Sequence, residues 1–293
     1  MIIINLKGGL GNQMFQYAVG RNLSVIHGTE LKLDRSFLLK RNNEAITYRD
    51  YELSIFNIAE NFAKSDEIEE LKNFWNKALL KIIPSYKHNP YVKEKHFHFD
   101  PHILKREDNC YLDGHWISER YFESIEPIIR NEFSFKQDVV DSARDLKFKI
   151  QNSNAVCIQI RRGDYVTKAD VSKVHGVTPL TYFNKAIDLI KMNVENPVFF
   201  IFSDDIDWCI ENFKDLRSAH FVEKILVGAS VGNSDYLQLM KECKHFIISN
   251  STFGWWGAWL GGYRNKIVIA PKAWLNVDTV ITKDVYPGEW IKL

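Results

Sequence analysis

One stretch near the middle of the chain, residues 155–165, reads Ala-Val-Cys-Ile-Gln-Ile-Arg-Arg-Gly-Asp-Tyr and restricts the possible folds most. Its first part, residues 156–160, is a mainly apolar run with β-branched side chains, which is typical of a parallel strand buried on both faces. The run ends on two adjacent arginines, Arg161 and Arg162. Ligands of open α/β sheets bind just beyond the carboxyl ends of the strands. The stretch therefore predicts an α/β sheet with two arginines at its ligand-binding edge.

The two arginines predict an anion. Neighbouring guanidinium groups repel each other, and a diphosphate suits them because each planar group can hold phosphate oxygens in bidentate fashion. Gly163 favours a ligand, since a residue without Cβ lets the backbone approach one closely. The alternative is a structural ion pair between Arg162 and Asp164 at the end of the strand.

Strands and helices alternate through the second half of the chain, which predicts a parallel sheet. Further strands are predicted at residues 197–202, 224–227, 246–248 and 266–269, and helices at 178–192, 234–243 and 253–260. The charged and polar segment 134–154 is the predicted link between two domains, residues 1–150 and 151–293.

Three of the predicted strands end in polar clusters, at residues 161–164, 203–205 and 249–252. The carboxyl ends of parallel strands lie at one edge of a sheet, so these clusters are expected to lie close together. Three polar clusters at strand ends are less easily explained as ordinary helix caps than any one of them alone.

The clusters contain candidate contacts for separate parts of a nucleotide sugar. Asp204 or Asp205 can accept two hydrogen bonds from guanine, which would select guanine over uracil. Ser251 and Thr252, with the backbone amides that open a helix at Phe253, can hold phosphate oxygens. Because Asp and Ser after strands are also ordinary helix caps, each assignment has a structural alternative.

The start of the chain has a second candidate site. A predicted strand at residues 2–6 leads through a glycine-rich turn into a predicted helix over residues 12–26. This is the order of a phosphate-binding turn, although its glycines do not match the dinucleotide fingerprint. Asn12, Gln13 and Gln16 open an otherwise apolar helix, and their amides can bind sugar hydroxyls or a phosphate. A tight turn formed for packing is the alternative.

The rest of the first half gives weaker signals. Strands are predicted at residues 30–34 and 110–112, a loop with one turn of helix at 35–51, a loop at 84–101, and helices at 65–83 and from Ser118 to 130. The helix at 65–83 carries lysines between apolar residues at helical spacing. This pattern favours a helix that packs on the core over one that lies on a membrane surface.

Composition excludes several classes of protein. The net charge of +1 gives no sign of nucleic acid as a partner. The chain has no recognisable targeting signal and no apolar run near the ~20 residues that span a bilayer. The cysteines have no metal-ligand spacing and are predicted to be reduced thiols near the core of a cytoplasmic protein: Cys110, Cys157, Cys209 and Cys243.

Four segments together resemble bacterial α-1,2-fucosyltransferases, family 11 of the glycosyltransferases. They are Gly-Gly-Leu-Gly-Asn-Gln-Met-Phe-Gln at residues 8–16, Ile-Arg-Arg-Gly-Asp-Tyr at 160–165, Phe-Ser-Asp-Asp at 202–205 and Ser-Asn-Ser-Thr-Phe-Gly-Trp-Trp-Gly at 249–257. The resemblance extends over nearly the whole chain in matching order. It implies a GT-B architecture of two facing Rossmann-like domains with largely parallel sheets, the first on the acceptor side and the second on the donor side.

The resemblance also implies a reaction. GDP-L-fucose would be the donor and co-substrate, with inversion at the anomeric carbon and without a metal or other cofactor. The acceptor would be a galactose-terminated oligosaccharide or lipid-linked glycan, as in an O-antigen, joined in α-1,2 linkage by a cytoplasmic enzyme with scope for peripheral contact with the inner membrane. The alternatives are a fucosyltransferase that forms another linkage and a non-catalytic module that binds a nucleotide or a sugar.

Site residues follow from the matched segments. Arg161 matches the arginine that contacts the β-phosphate in the wider fucosyltransferase group, and we predict that Arg161 and Asn12 are catalytic. The predicted donor-binding residues are Gln159, Arg161, Arg162, Asp164, Asp204, Asp205, Ser251, Thr252 and Phe253. The predicted acceptor-side or loop residues are Gly9, Gly11, Asn12, Gln13, Gln16 and Glu119.

The sequence departs from the family pattern at two positions. Gln159 stands where the family usually has a histidine, so any contact that it makes is that of a neutral amide. Ile117 stands where relatives often have glutamine, before Ser118 and Glu119, and this change lies in the acceptor half of the chain.

The chemistry requires a stabilised leaving group and a proton acceptor. Negative charge grows on the β-phosphate as GDP leaves, and Arg161, with Arg162 or the turn at 251–252, is expected to stabilise it. The acceptor hydroxyl loses its proton to water or to a carboxylate, for which Asp34, Glu119 and Asp170 are the candidates.

Two metal patterns are also present. Asp205-Ile206-Asp207 has the Asp-x-Asp spacing with which metal-dependent glycosyltransferases hold a divalent ion. Two arginines already offer the charge that such an ion supplies, and Asp207 fits the acidic start of a helix, so we favour a site without metal. Four nearby histidines match no metal-ligand spacing: His88, His96, His98 and His102.

Overall fold

A computed structural model of the protein describes residues 1–40, 49–72, 89–226, 232–277 and 279–293. The described chain divides into two compact units, Met1–Lys136 with Lys283–Val285, and Gln137–Thr282 with Tyr286–Leu293. Each unit contains its own sheet, and every described pairing between named strands is parallel. The predicted domain division at residue 150 lies at the end of a helix of the second unit.

The first unit has a four-stranded sheet in the order β2-β1-β4-β3. Its strands are β1 (Ile2–Asn5), β2 (Leu31–Asp34), β3 (Tyr91–Lys93) and β4 (Cys110–Asp113). Its helices are α1 (Leu10–His27), α2 (Ser36–Leu39), α3 (Ser65–Lys72) and α4 (Glu126–Glu132), with 3₁₀ turns at Leu53–Ile55, Ile103–Lys105, Glu119–Tyr121 and Glu123–Ile125. The fully buried strand β1 is the centre of this sheet.

The second unit has a six-stranded sheet in the order β10-β9-β8-β5-β6-β7. Its strands are β5 (Asn154–Ile160), β6 (Pro197–Ser203), β7 (Ala219–Phe221), β8 (His245–Ile248), β9 (Val268–Ala270) and β10 (Ile291–Lys292). Its helices are α5 (Arg144–Gln151), α6 (Gly163–Thr167), α7 (Ala169–His175), α8 (Leu180–Asn193), α9 (Ile206–Phe213), α10 (Val222–Ile225), α11 (Asn233–Lys241) and α12 (Thr252–Leu260), with a 3₁₀ turn at Asp141–Ala143.

Strand β5 is the central element that the sequence predicts. Val156, Ile158 and Ile160 are buried on one face, in a core cluster that includes Phe183 and Ile190 of α8. Cys157 on the other face is also completely buried. Burial on both faces explains why the run is almost continuously apolar.

Most predicted elements are confirmed within a few residues, but several expectations were wrong. The strand predicted at residues 224–227 is wrong over its described part, because β7 ends at Phe221 and the chain turns into α10. The predicted loop 84–101 contains the short strand β3, and the predicted link 134–154 contains α5. The helix predicted from Ser118 to residue 130 begins as two short 3₁₀ turns, which the Ser118 side chain does not cap, and only its last part is confirmed, by α4. Residues 73–83 of the predicted helix 65–83 lie outside the described residues.

The cysteines agree with the prediction, since all four are free and buried. Among the described residues, no helix is both long enough and apolar enough to cross a membrane.

The turn after β1 is held by two buried glutamines. The side chain of Gln16 accepts a hydrogen bond from the Lys7 N–H (3.0 Å) and donates one to the Lys7 carbonyl (3.1 Å). Gln13 donates to the carbonyl of Gly8 (2.9 Å), whose φ of +77° suits a glycine. Both glutamine side chains are completely buried. Their amides therefore have the structural role that was the alternative to ligand binding.

Gln16→Leu should lower the free energy of unfolding by about 2 kcal/mol or more, because it leaves two largely buried backbone groups of Lys7 without partners. Urea unfolding followed by tryptophan fluorescence measures this change. Gln151→Leu, the same substitution at an exposed position of α5, is the control and should cost less than about 0.5 kcal/mol. Equal losses in both variants would contradict a structural role for Gln16.

Candidate functional site

Three polar clusters meet at the carboxyl ends of the central strands of the second sheet. Strand β5 lies between β6 and β8, with Ile160 paired to Ser203 and Gln159 paired to Ile248. The segments that follow these strands are therefore neighbours, as the sequence predicts. The backbone N–H of Arg161 donates a hydrogen bond to Ser249 Oγ (3.0 Å), which joins the first cluster to the third.

The arginine pair, Arg161 and Arg162, is held by three carboxylates. Arg161 forms ion pairs with Asp164 (Nη2 to Oδ1, 2.5 Å) and with Asp204 (Nη1 to Oδ2, 2.8 Å). Arg162 forms an ion pair with Asp205 (Nε to Oδ2, 2.9 Å). The structural pair expected between Arg162 and Asp164 does not form, because Asp164 lies in the first turn of α6 and binds Arg161 instead.

Aromatic rings also restrict the two guanidinium groups. The Cζ of Arg162 lies 4.0 Å from the centroid of the Trp208 ring, and that of Arg161 lies 5.7 Å from the centroid of the Tyr165 ring. The side chains of Arg161 and Arg162 keep 27% and 16% of their surface exposed. The arginine pair is thus held in place while part of its surface remains open to an anion.

Asp204 and Asp205 have a role that the sequence did not predict. Asp204 accepts a hydrogen bond from the backbone N–H of Arg162 (2.8 Å) in addition to its ion pair with Arg161. Asp205 binds Arg162 and also caps α9 by accepting from the N–H of Trp208 (3.4 Å). Both carboxylates position the arginines, and recognition of guanine by either one stays a prediction.

The residues around α12 form a compact support for the arginine pair. Ser249 Oγ donates a hydrogen bond to Gln159 Oε1 (2.9 Å), so the amide that replaces the usual histidine is part of the structural network. Gly254 is necessary here, since an added Cβ would lie 2.4 Å from Gln159 Oε1. Ser251 caps α12 by accepting from the Gly254 N–H (3.5 Å). Thr252 and Phe253 form the half-buried first turn of that helix.

The sequence analysis did not identify Tyr165 and Asn250, which connect this cluster to neighbouring loops. The hydroxyl of Tyr165 donates to the carbonyl of Asn250 (3.2 Å), and its ring stacks on His175 at 4.9 Å. The side chain of Asn250 donates to the carbonyls of His175 (2.8 Å) and Trp274 (3.1 Å). Both residues lie within the matched segments, but only the tertiary structure shows which loops they join.

The first sheet has a separate polar cluster at its carboxyl edge. Asp113 accepts hydrogen bonds from Asn5 (2.9 Å), Lys7 (2.9 Å) and Tyr91 (2.7 Å). Burial alone would raise the pKa of Asp113, but these hydrogen bonds outweigh it and lower that pKa to about 2. Asp113 is therefore a weak base that remains ionised.

Glu94 is a second carboxylate of this edge that sequence reasoning missed. It accepts hydrogen bonds from the backbone N–H groups of His115 (2.7 Å) and Trp116 (3.0 Å). Burial raises the pKa of Glu94, and the two N–H groups offset only part of that shift. Trp116 has a φ of +57°, which is rare for a bulky residue, so Glu94 holds a strained turn.

The predicted acceptor-side residues have mixed surroundings. The N–H of Leu10 at the start of α1 donates to Glu52 (2.7 Å), so a carboxylate of the protein already lies where the predicted phosphate would bind. Gly9 precedes this helix and Gly11 is buried within it. Asn12 is half-buried against Gly8, where an added Cβ would lie 2.4 Å from its Nδ2.

The three predicted bases differ in access. Asp34 is 1% exposed and accepts hydrogen bonds from the Tyr111 hydroxyl (2.6 Å) and the Ser36 N–H (2.8 Å), so it is a structural carboxylate. Asp170 in α7 has a fully exposed side chain. Glu119 is half-buried at the start of a 3₁₀ turn. Asp170 and Glu119 remain the accessible candidates.

The metal patterns are not completed in the part of the chain that the structure describes. Asp205 is bound to Arg162, and Asp207 is exposed in the first turn of α9. His96 and His98 stack on each other at 5.0 Å, while His88 lies outside the described residues. No group of three His, Cys, Asp or Glu side chains within those residues is arranged to hold a metal ion. Metal independence stays a prediction.

Curated relatives match nearly the whole chain. An Escherichia coli alpha-1,2-colitosyltransferase is 33% identical over 300 residues, which cover 100% of this chain and 99% of the relative. The Escherichia coli O-antigen biosynthesis glycosyltransferase WbnK is 32% identical, with 98% and 99% coverage. Galactoside alpha-(1,2)-fucosyltransferase 2 of Rattus norvegicus is 27% identical over 89% of this chain and 67% of its own length.

Solved structures show a likeness in fold. The NodZ alpha-1,6-fucosyltransferase of Bradyrhizobium, co-crystallized with GDP, has a TM-score of 0.51 at 13% identity over 87% of this chain and 90% of its own. A mutant of Arabidopsis thaliana FUT1 in complex with GDP also has a TM-score of 0.51, at 11% identity over 98% of this chain and 74% of that protein. The predicted fold class, two Rossmann-like α/β units of the GT-B type, is confirmed.

The family model described as Glycosyl transferase family 11 matches residues 1–293. With relatives above 30% identity that align along their full length, this match shows that the chain belongs to glycosyl transferase family 11.

Proposed function

We propose that this protein is an inverting glycosyltransferase that moves L-fucose from GDP-L-fucose to the 2-hydroxyl of a terminal β-galactoside in α-1,2 linkage. The observation that carries the proposal is the arginine pair at the carboxyl end of β5, held by Asp164, Asp204 and Asp205. The fold of the GDP complexes and the names of the mammalian relatives support this donor and linkage.

The proposed donor site consists of two sources of positive charge. Arg161 and Arg162 supply two full charges, and α12 adds the positive end of its dipole at Ser251, Thr252 and Phe253. The diphosphate of the donor binds across these groups. A diphosphate can take the free sides of the guanidinium groups while the carboxylates hold their other sides.

Catalysis depends on the charge that develops on the leaving group. As the bond between fucose C1 and the β-phosphate oxygen breaks, negative charge grows on that oxygen. Arg161, already oriented by Asp164 and Asp204, stabilises this charge without rearranging. The acceptor hydroxyl bonds to C1 from the opposite face, and its proton passes to water or to a carboxylate such as Glu119 or Asp170. Arg161 is the catalytic residue in this proposal, and Asn12 orients the acceptor.

In this proposal the diphosphate is bound directly by the free N–H groups of the arginine pair and by the amides that open α12, without a metal ion. The acceptor is a galactose-terminated oligosaccharide or lipid-linked glycan, as in O-antigen biosynthesis, in which one relative takes part according to its name. Such a glycan is assembled on the cytoplasmic side of the membrane, where the enzyme is proposed to act.

Colitosyl transfer is the second candidate, because a colitosyltransferase is 33% identical over the whole chain. Colitose lacks the 3-hydroxyl that fucose carries. A site that hydrogen-bonds this hydroxyl rejects the sugar without it by several orders of magnitude, whereas an apolar site discriminates weakly. The relative rates with GDP-fucose and GDP-colitose therefore distinguish the two candidate functions.

The purified protein should release GDP from GDP-fucose when a β-galactoside is present, and two-dimensional NMR of the product should show an α-1,2 linkage. Parallel reactions with GDP-colitose and UDP-galactose compare the donors, and excess EDTA should leave the rate unchanged. A rate with GDP-colitose at least a hundredfold higher would establish the second candidate instead. Tight binding of GDP-fucose without transfer to any galactoside would indicate a binding module.

Arg161→Ala should lower kcat by about a hundred- to a thousandfold, the loss that follows removal of one preorganised donor to an oxyanion. Arg161→Lys should recover only part of the rate, because an ammonium keeps the charge but loses the planar geometry. Single-turnover rates beside thermal melting curves measure both effects. The melting temperature should change little, since partly exposed ion pairs contribute about 0–1 kcal/mol.

Arg144→Ala is the matched control, because Arg144 also forms an ion pair with an aspartate three residues away, at an exposed position (Asp141, 2.9 Å). It should leave kcat unchanged. A normal kcat in Arg161→Ala, together with a lower melting temperature, would show that Arg161 has a structural role only.

A further inference from the structure

Glu223 is a largely buried carboxyl group to which the proposed reaction assigns no role. It lies in the first turn of α10, directly after the edge strand β7. Its Oε1 accepts a hydrogen bond from the backbone N–H of Ser203 (2.8 Å), the last residue of β6. Its Oε2 is enclosed and has no hydrogen-bond partner. A buried carboxyl oxygen without a partner is costly, which suggests that Glu223 has a function beyond packing.

The hydrogen bond to Ser203 fixes the segment that carries the arginine-binding carboxylates. Asp204 follows Ser203 directly, and the Ser203 hydroxyl accepts a hydrogen bond from the N–H of Asp205 (3.0 Å). Asp204 then binds Arg161 and the backbone of Arg162. The hydrogen bond between Glu223 and Ser203 is therefore connected to the arginine pair through Asp204.

The surroundings of Glu223 favour its neutral form. Burial, with a smaller contribution from the negative charge of Asp204, outweighs the backbone N–H groups that bind the carboxyl group and raises the pKa of Glu223 to about 7. The other titratable groups that face it are Cys157 of β5, Cys209 of α9 and Tyr236 of α11, and burial raises the pKa of each of them. Glu223 is therefore the group of this cluster that changes its charge near neutral pH.

We propose that Glu223 is a positioning residue of the donor site, whose neutral carboxyl group holds Ser203 so that Asp204 orients the arginine pair. Ionisation of Glu223 places a second negative charge beside Asp204, which lowers the positive potential that the arginine pair offers to a diphosphate. This inference rests on the proposed function, because it takes the arginine pair to be the site of the donor diphosphate.

Binding of GDP-fucose without acceptor, measured by calorimetry from pH 6 to pH 8.5, tests the inference. GDP-fucose is the suitable probe because its diphosphate has no proton that titrates in this range. The wild-type Kd should rise by about three- to tenfold as Glu223 ionises, the scale for one added charge roughly 10 Å away at intermediate dielectric. Glu223→Gln keeps the acceptor for Ser203 and stays neutral, so its Kd should remain near the low-pH wild-type value throughout.

Glu223→Ala separates the hydrogen bond from the charge. It removes the acceptor for the Ser203 N–H and carries no charge, so it should bind about three- to tenfold more weakly than Glu223→Gln at every pH, as expected for the loss of one hydrogen bond. Gln151→Ala on the exposed face of α5 is the control and should bind like the wild type.

Stability gives a second readout with a defined sign. Because the folded state holds the proton of Glu223 more tightly than the unfolded chain does, the stabilisation from Glu223 is complete below its unfolded pKa of about 4.3 and is lost as pH rises through about 7. The urea midpoint of the wild type should therefore fall relative to that of Glu223→Gln between pH 5 and pH 8.

The outcomes separate the two proposals. Wild-type protein that binds GDP-fucose with the same pH profile as Glu223→Gln would overturn the positioning role and leave the proposed function intact. Wild-type protein that binds no GDP-sugar would overturn the proposed function and this inference with it.

Discussion

The ion pair between Asp204 and Arg161 is the interaction on which the proposed donor site depends. Asp204 also accepts the backbone N–H of Arg162, so one carboxylate fixes one arginine side chain and the main chain of the next. Asp164 and Asp205 bind the same two arginines, so the three carboxylates together offset the repulsion between adjacent cations at a strand end. The close packing of Gly163 shows how tight this arrangement is, since an added Cβ would lie 2.5 Å from Asp204 Oδ2.

These ion pairs matter for geometry more than for stability. Their side chains are 22% to 34% exposed, apart from Arg162, and partly solvated pairs contribute little to the free energy of unfolding. In the proposed reaction, their benefit is that the guanidinium groups need not reorganise when charge develops on the leaving phosphate. The orientation of the arginines is thus largely separate from folding, to which the apolar strand β5 and the buried face of α8 contribute through the core.

The sequence was informative where a local pattern has a direct physical cause. The apolar run of β5 predicted a strand buried on both faces, and the polar residues after β5, β6 and β8 predicted that three strand ends meet. The parallel α/β class followed from alternating strands and helices, whereas the GT-B architecture followed from the family resemblance. Short edge elements were missed, because β3 and β7 contain three residues each and have little periodicity.

Partners that depend on tertiary structure could not be predicted. Glu52 reaches the first turn of α1 across 42 positions of sequence, and Glu223 reaches Ser203 across 20. Asp204 was assigned to a ligand because its position after a strand was visible, whereas its contact with Arg161 was not. The sequence can predict that a residue follows a strand. It cannot predict whether the side chain of that residue binds another residue of the protein or a ligand.

The affinity of Gly163→Ala for GDP, measured by calorimetry, tests the central claim most directly. The added methyl group displaces the Asp204 carboxylate from Arg161 without changing any charge, and the side chain can rotate, so the variant should fold. We expect GDP to bind about tenfold more weakly, as for the loss of one charged hydrogen bond, while Gly262→Ala, where no atom lies within 4 Å of the added Cβ, should bind like the wild type. Equal affinity in Gly163→Ala and the wild type would contradict the claim that Asp204 positions the arginines for the diphosphate.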